Sequence, residues 1–180
     1  MMRPGELGEI LVSREEIREM TRRVAAAISR DYEGREVLLV GVLKGACVFM
    51  ADLIRELTVV TQIDFIAVSS YGKETKSSGV VRILKDLDED ITGRHVIIVE
   101  DIIDSGLTWS KLRELLLTRG PASLALCTAF DKPSRRTVAN LTVDYTGLEI
   151  PDAFIVGYGL DYQGYYRELP EVRTLRLEAR

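Results

Sequence analysis

Between Ser13 and Asp31 the apolar residues Ile17, Met20, Val24 and Ile28 recur at helical spacing, with charged residues between them. Ser13 followed by Glu16 forms a capping-box pair, and Gly34 supplies a stop. The spacing predicts a helix over 13–31. The pattern then changes to an almost unbroken apolar run over 37–43, interrupted only by Gly41, which reads as a strand. Phe49, Leu53 and Leu57, four apart, place a helix over 46–57, and 62–69 reads as a second strand. The order repeats, with a strand at 95–99, a helix at 107–118 and a strand at 122–130. Apolar strands alternating with helices predict an α/β fold, a mostly parallel sheet flanked by helices on both faces. No repeat, linker or low-complexity segment interrupts the chain, so 1–180 reads as a single domain.

One stretch departs from this alternation. Residues 70–79 (SYGKETKSSG) carry no apolar side chain except Tyr71, and a strand resumes over 80–84. Such a loop is either an exposed hairpin tip or a lid over a binding site.

Composition narrows the class. The 180 residues are 46% hydrophobic and 29% charged, too apolar for a disordered chain. No apolar run reaches the roughly 20 residues that span a bilayer, and 1–8 has no signal-peptide character. Cys47 and Cys127 stand alone, which argues against a disulfide framework or structural zinc and makes both small core residues. A cytoplasmic protein that does not engage membranes is expected. The net charge of -4 and the scattered basic residues argue against nucleic-acid binding. Arg173, Arg176 and Arg180 alternate with glutamates, so the tail is expected to be a solvated strand or edge rather than a nucleic-acid arm. His95, the only histidine, sits at a strand start, as a surface or edge residue.

The candidate chemistry lies in 96–108, VIIVEDIIDSGLT. An apolar strand leads to Glu100 and Asp101, and a short turn presents Asp104, Ser105, Gly106, Leu107 and Thr108 before a helix. Ligands of open parallel sheets bind beyond the carboxyl ends of the strands, and a helix N-terminus offers N–H groups suited to phosphate. Ser105 and Thr108 add hydroxyls, and Gly106 allows close approach. Three carboxylates beside a phosphate fit if they face sugar hydroxyls or Mg²⁺. Otherwise they are solvated acids at a strand end, with Asp104 or Ser105 capping the helix.

VIIVEDIIDSGLT resembles the phosphoribosyl-pyrophosphate motif of the type I phosphoribosyltransferases. Leu43-Lys44-Gly45-Ala46 is similar to that family's pyrophosphate loop, with Ala46 where Gly is also found. Ser70-Tyr71 is similar to its mobile catalytic loop. Residues 131–136 (DKPSRR) and 151–167 (PDAFIVGYGLDYQGYYR) resemble the base-recognition segments of the branch that salvages hypoxanthine and guanine. The likeness spans roughly 37–170 in the family's order. Ser105 stands where Thr is also common.

The resemblance implies a type I phosphoribosyltransferase fold with a small hood and a mobile loop. It implies transfer of the 5-phosphoribosyl group from phosphoribosyl pyrophosphate to hypoxanthine or guanine, giving IMP or GMP and pyrophosphate, with Mg²⁺. Asp104 is then the acceptor of the purine N7 proton, and Lys44, Gly45 and Arg167 lie at the pyrophosphate, beneath Tyr71. Glu100 and Asp101 face the ribose hydroxyls or Mg²⁺, and Asp161 the Mg²⁺ hydration shell. Ser105–Thr108 hold the 5′-phosphate. Lys132 donates to the purine O6, the carbonyl of Ile155 accepts from the base, and Phe154 either stacks on it or is a core aromatic. The Leu43–Lys44 peptide can be cis in this family, whose members are commonly homodimers or homotetramers. Two other readings are a nucleic-acid-binding regulator on the same fold, and a dinucleotide binder, for which no GxGxxG follows the first strand.

Overall fold

Both halves of the capping box form in the computed structural model, which describes residues 4–70 and 81–177. The Ser13 Oγ accepts from the Glu16 N–H at 3.3 Å, and Glu16 Oε2 accepts from the Ser13 N–H at 2.8 Å. Behind this cap, helix α1 (Arg14–Asp31) buries Ile17, Met20, Val24 and Ile28, the face its periodicity marks. Helix α2 (Cys47–Glu56) buries Phe49, Met50 and Leu53, and α3 (Leu107–Leu117) buries Trp109, Leu112 and Leu116.

The main sheet has six strands: β2 (Val37–Leu43), β3 (Thr61–Ser70), β4 (Val81–Lys85), β5 (His95–Ile103), β6 (Ser123–Asp131) and β7 (Tyr145–Glu149), ordered β4-β3-β2-β5-β6-β7. Only β4 runs antiparallel, against β3. One apolar cluster joins the α1–α2 face to Leu39, Ile97 and Val99; another joins the α3 face to Leu38, Val40, Val96 and Ile98. The two-sided cover that the apolar strands require is thus present.

A second sheet of three antiparallel strands, β1 (Glu6–Val12), β9 (Val172–Arg176) and β8 (Ile155–Val156), forms the hood in the order β1-β9-β8. Its strands are illegible locally. β1 is mostly exposed and β8 is two residues long. The Arg-rich tail is a strand, but a central one, with Val172 fully buried between neighbours rather than at an edge. Cys127 lies in the core, whereas Cys47 is exposed because it sits off the Phe49–Leu53 face of α2. His95 hydrogen-bonds Ser123 Oγ through Nδ1 at 2.8 Å, at the sheet end remote from the acidic turn. Among the described residues no helix is long and apolar enough to cross a membrane. Tyr71 and the rest of the polar loop to residue 80 lie outside the described residues.

Candidate active site

The ladder between β2 and β5 ends at Gly41 opposite Val99. Beyond it β2 turns away through a cis Leu43–Lys44 peptide, while β5 continues to Ile103. Glu100 and Asp101 therefore belong to the strand itself, past the end of its ladder with β2 but still alongside β6, where Glu100 pairs with Thr128. Alternation along β5 sends them to opposite faces: Glu100 continues the Val96–Ile98 side and Asp101 the Ile97–Val99 side.

Glu100 is only 7% exposed and lines a cavity of about 260 Å³ with Asp104, Ser105, Gly106 and Thr108. Gly106, at φ +83°, is the N-cap of α3, so neither Asp104 nor Ser105 occupies the capping position. Ser105 Oγ still accepts the Leu107 N–H at 3.3 Å, and Leu107 begins the helix with its side chain exposed. The turn is clamped from behind. The Thr137 and Val138 N–H groups donate to the Ser105 carbonyl at 3.1 and 3.3 Å, and Arg136 Nη1 donates to the Asp104 carbonyl at 3.3 Å. Arg136 also pairs with buried Asp131 at 2.5 Å. Nothing in the local pattern of 131–138 announces this clamp beyond two adjacent arginines after a strand.

A second cavity, about 570 Å³, adjoins the first through Asp101, Ile102 and Asp104 and extends past Lys132, Arg135 and Asp152–Ile155 to Asp161. Lys132 is buried, and its Nζ donates to the Ala153 carbonyl at 2.6 Å. Phe154 is 46% exposed and meets Tyr162 edge to face, with centroids 5.5 Å apart; of its two readings the core one is excluded. The Leu175 N–H donates to the Phe154 carbonyl. Antiparallel pairs alternate, so the N–H and C=O of Ile155 point away from β9, toward the outer edge of β8.

Asp161 pairs with Arg167 at 2.5 Å and accepts the Gly164 N–H at 2.7 Å. Arg167 also donates to the Gly159 carbonyl at 2.5 Å, and Gly159 abuts the carbonyl of Gly45. A Cβ built on Gly45 would overlap Asp101 Oδ2, so only glycine lets this loop lie against the acid. Lys44 is exposed at the head of the loop, outside both cavities. Ser70 ends β3 opposite Val81.

Burial dominates the electrostatics of the two strand acids. Burial pushes the Glu100 carboxyl well above its ordinary value near 4.5, and the Asp101 charge adds to this. Burial likewise raises Asp101, opposed by the Ile102 N–H (2.8 Å) and Arg167 and reinforced by Asp161. A carboxyl that holds its proton to higher pH when folded contributes stability below its ordinary range and loses it as pH rises. Glu100→Gln is therefore expected to melt at a higher temperature than wild type near neutral pH, with the gain shrinking as the pH falls toward about 4. Melting curves across pH check this; an unchanged difference at all pH values would show that Glu100 is not the group responsible. No three of the described acidic, His or Cys side chains converge on one metal position.

A helix N-terminus fit for phosphate, buried acids beside it and a donor–acceptor pair at the second cavity describe a site for a sugar phosphate and a small polar base. The phosphoribosyl transferase domain family model matches residues 9–163, and the chain belongs to that family. Curated relatives include the hypoxanthine-guanine phosphoribosyltransferase of Bacillus subtilis, 47% identical over 97% of each chain. The hypoxanthine phosphoribosyltransferase of Escherichia coli is 50% identical over 91% of this chain and 93% of its own. A crystal structure of a Bacillus anthracis hypoxanthine-guanine phosphoribosyltransferase, with HEPES in its active site, superposes with a TM-score of 0.90. It shares 48% identity over 94% of this chain and 99% of that one.

Proposed function

We propose that the chain is a purine-salvage enzyme that transfers the 5-phosphoribosyl group from phosphoribosyl pyrophosphate to hypoxanthine or guanine, yielding IMP or GMP and pyrophosphate. The carrying observation is the pair of adjoining cavities that share Asp101 and Asp104, one ending on the α3 N-terminus and the other on Lys132 and Ile155. In the first, the Ser105–Thr108 turn supplies N–H and hydroxyl donors for the 5′-phosphate, and Glu100 and Asp101 accept from the ribose hydroxyls. In the second, Phe154 offers a ring face to the base. The carboxylate of Asp104, between them, takes the N7 proton as the bond from the purine nitrogen to C1 of the ribose forms. Lys44 and Arg167 flank the leaving pyrophosphate and balance its charge.

The donor set fits Mg²⁺: hard carboxylate oxygens, two of them raised by burial, with room for substrate oxygens and water. Asp101 and Asp161, close enough for their charges to interact, would hold it together with water and substrate oxygens, with Glu100 on the opposite face of β5, and the ion would supply charge neutralisation at the pyrophosphate. One domain spanning 1–180, a cytoplasmic location and a homodimer or homotetramer belong to the same proposal.

Base preference follows from polarity. Lys132 only donates and the Ile155 carbonyl only accepts, so a 6-oxopurine with its O6 and N1–H pairs with both. Adenine presents a donor to the ammonium and an acceptor to the carbonyl. Each unpaired buried group costs about 1–3 kcal/mol, so with two of them adenine should react at least roughly 30-fold more slowly than hypoxanthine in kcat/KM. Initial rates of pyrophosphate release with the four purine bases test this. Release from none of them would refute the enzyme, and release from adenine as fast as from hypoxanthine would refute the base site.

A further inference from the structure

Arg135 ends the short 3-10 turn Pro133–Arg135 that follows β6, and with Asp104 and Asp152 it lines the larger cavity. Its Nε donates to Asp104 Oδ1 at 3.0 Å, and its Nη1 lies 3.7 Å from Asp152 Oδ2. All three side chains are roughly half exposed. Ion pairs this open add little to folding stability. Arg136 contrasts with it: that guanidinium is largely buried against Asp131 and holds the turn's backbone through the Asp104 carbonyl. Two adjacent arginines thus divide the work, one fixing the main chain of the turn and the other touching only the side chain of Asp104.

We propose that Arg135 is a positioning residue for the proton-accepting carboxylate, engaging Asp104 through Oδ1 so that Oδ2 is presented to the purine. Among the described residues no side chain or N–H donates to Oδ2. An Asp side chain with one oxygen held loses a rotation about its terminal torsion, so the acceptor oxygen is aimed before the base arrives. Asp152, 3.7 Å from the other end of the guanidinium, gives it a second acidic neighbour on the cavity lining.

The inference rests on Asp104 as proton acceptor, so the test separates the two. Arg135→Gln, Arg135→Lys, Asp104→Asn and the double variant Arg135→Gln with Asp104→Asn are assayed for kcat and for KM of each substrate, with a melting curve for each. Arg135→Gln is expected to lower kcat on the order of tenfold, the loss of one well-aimed charge-assisted hydrogen bond, with KM for phosphoribosyl pyrophosphate within about twofold. Arg135→Lys, which retains a cationic donor, should recover most of that loss. In the Asp104→Asn background the Arg135→Gln change should cost nothing further, because the two act as one unit. An unaltered kcat in Arg135→Gln beside a crippled Asp104→Asn overturns the inference and leaves the proton acceptor standing. Equal losses in both backgrounds, or a large fall in melting temperature, overturn it by assigning Arg135 to another task. Near-normal turnover in Asp104→Asn removes the proton acceptor and the inference with it.

Discussion

Asp104→Asn is expected to reduce kcat by roughly 10²–10⁴-fold while changing the affinity for IMP by no more than about threefold. The asparagine keeps the size of the side chain, and its carbonyl oxygen can still accept from Arg135 Nε, so the turn carrying it should not move. That turn is held independently, by the Arg136 bond to the Asp104 carbonyl and by the two N–H donors on Ser105. What disappears is the only carboxylate among the described side chains lining both adjoining cavities, apart from Asp101, an expected metal-facing acid. Steady-state rates beside equilibrium titration of IMP separate the two effects. Turnover within about threefold of wild type would show that the N7 proton leaves by another route, such as water.

Gly45→Ala should be the second most damaging single change, lowering kcat/KM for phosphoribosyl pyrophosphate by about 10²-fold or more. A misplacement near 1 Å at a reacting centre has that effect. One methyl is enough because the Gly45 Cα lies directly against the Asp101 carboxylate. Asp101 cannot yield easily: its Oδ1 is bound by the Ile102 N–H, and it sits on a strand paired through Ile102 and Ile103 with β6. The loop cannot yield easily either, since the Gly45 carbonyl is pressed against Gly159 of the hood, and Gly159 is itself tied to Arg167. The added carbon must therefore displace either the Asp101 carboxylate or the loop that carries Gly45. Because Lys132, Phe154 and Ile155 are outside this contact, KM for hypoxanthine should change far less. Wild-type kinetics for both substrates would show that the close packing of loop and acid has no part in catalysis.

The distribution of these effects follows how the molecule is encoded. Helix α1, strands β2, β5 and β6 and helix α3 were legible because each has a continuous local signal: a capping box, a 3.6-residue stripe, or an apolar run buried on both faces. The acidic turn was legible for the same reason, as a short run of chemistry at the junction of two strong elements. The hood was not. Its strands span the two ends of the chain, from Glu6 to Arg176, and two of them are mostly exposed or very short, so their pairing leaves almost no periodicity.

By itself, the amino-acid order determined the alternating α/β architecture, the site at the carboxyl ends of the strands, and the residue types that gather there. Those depend on spacing within about a dozen neighbours, where backbone geometry alone decides which side chains share a face. Tertiary structure alone decided that Gly45 lies on Asp101, that Gly106 rather than an acid or serine caps α3, that Phe154 faces a cavity, and that Arg135 grips Asp104. Each of these joins residues from separate elements, and such contacts are set by how the sheet, the hood and the turns pack in three dimensions, a condition that local pattern does not encode.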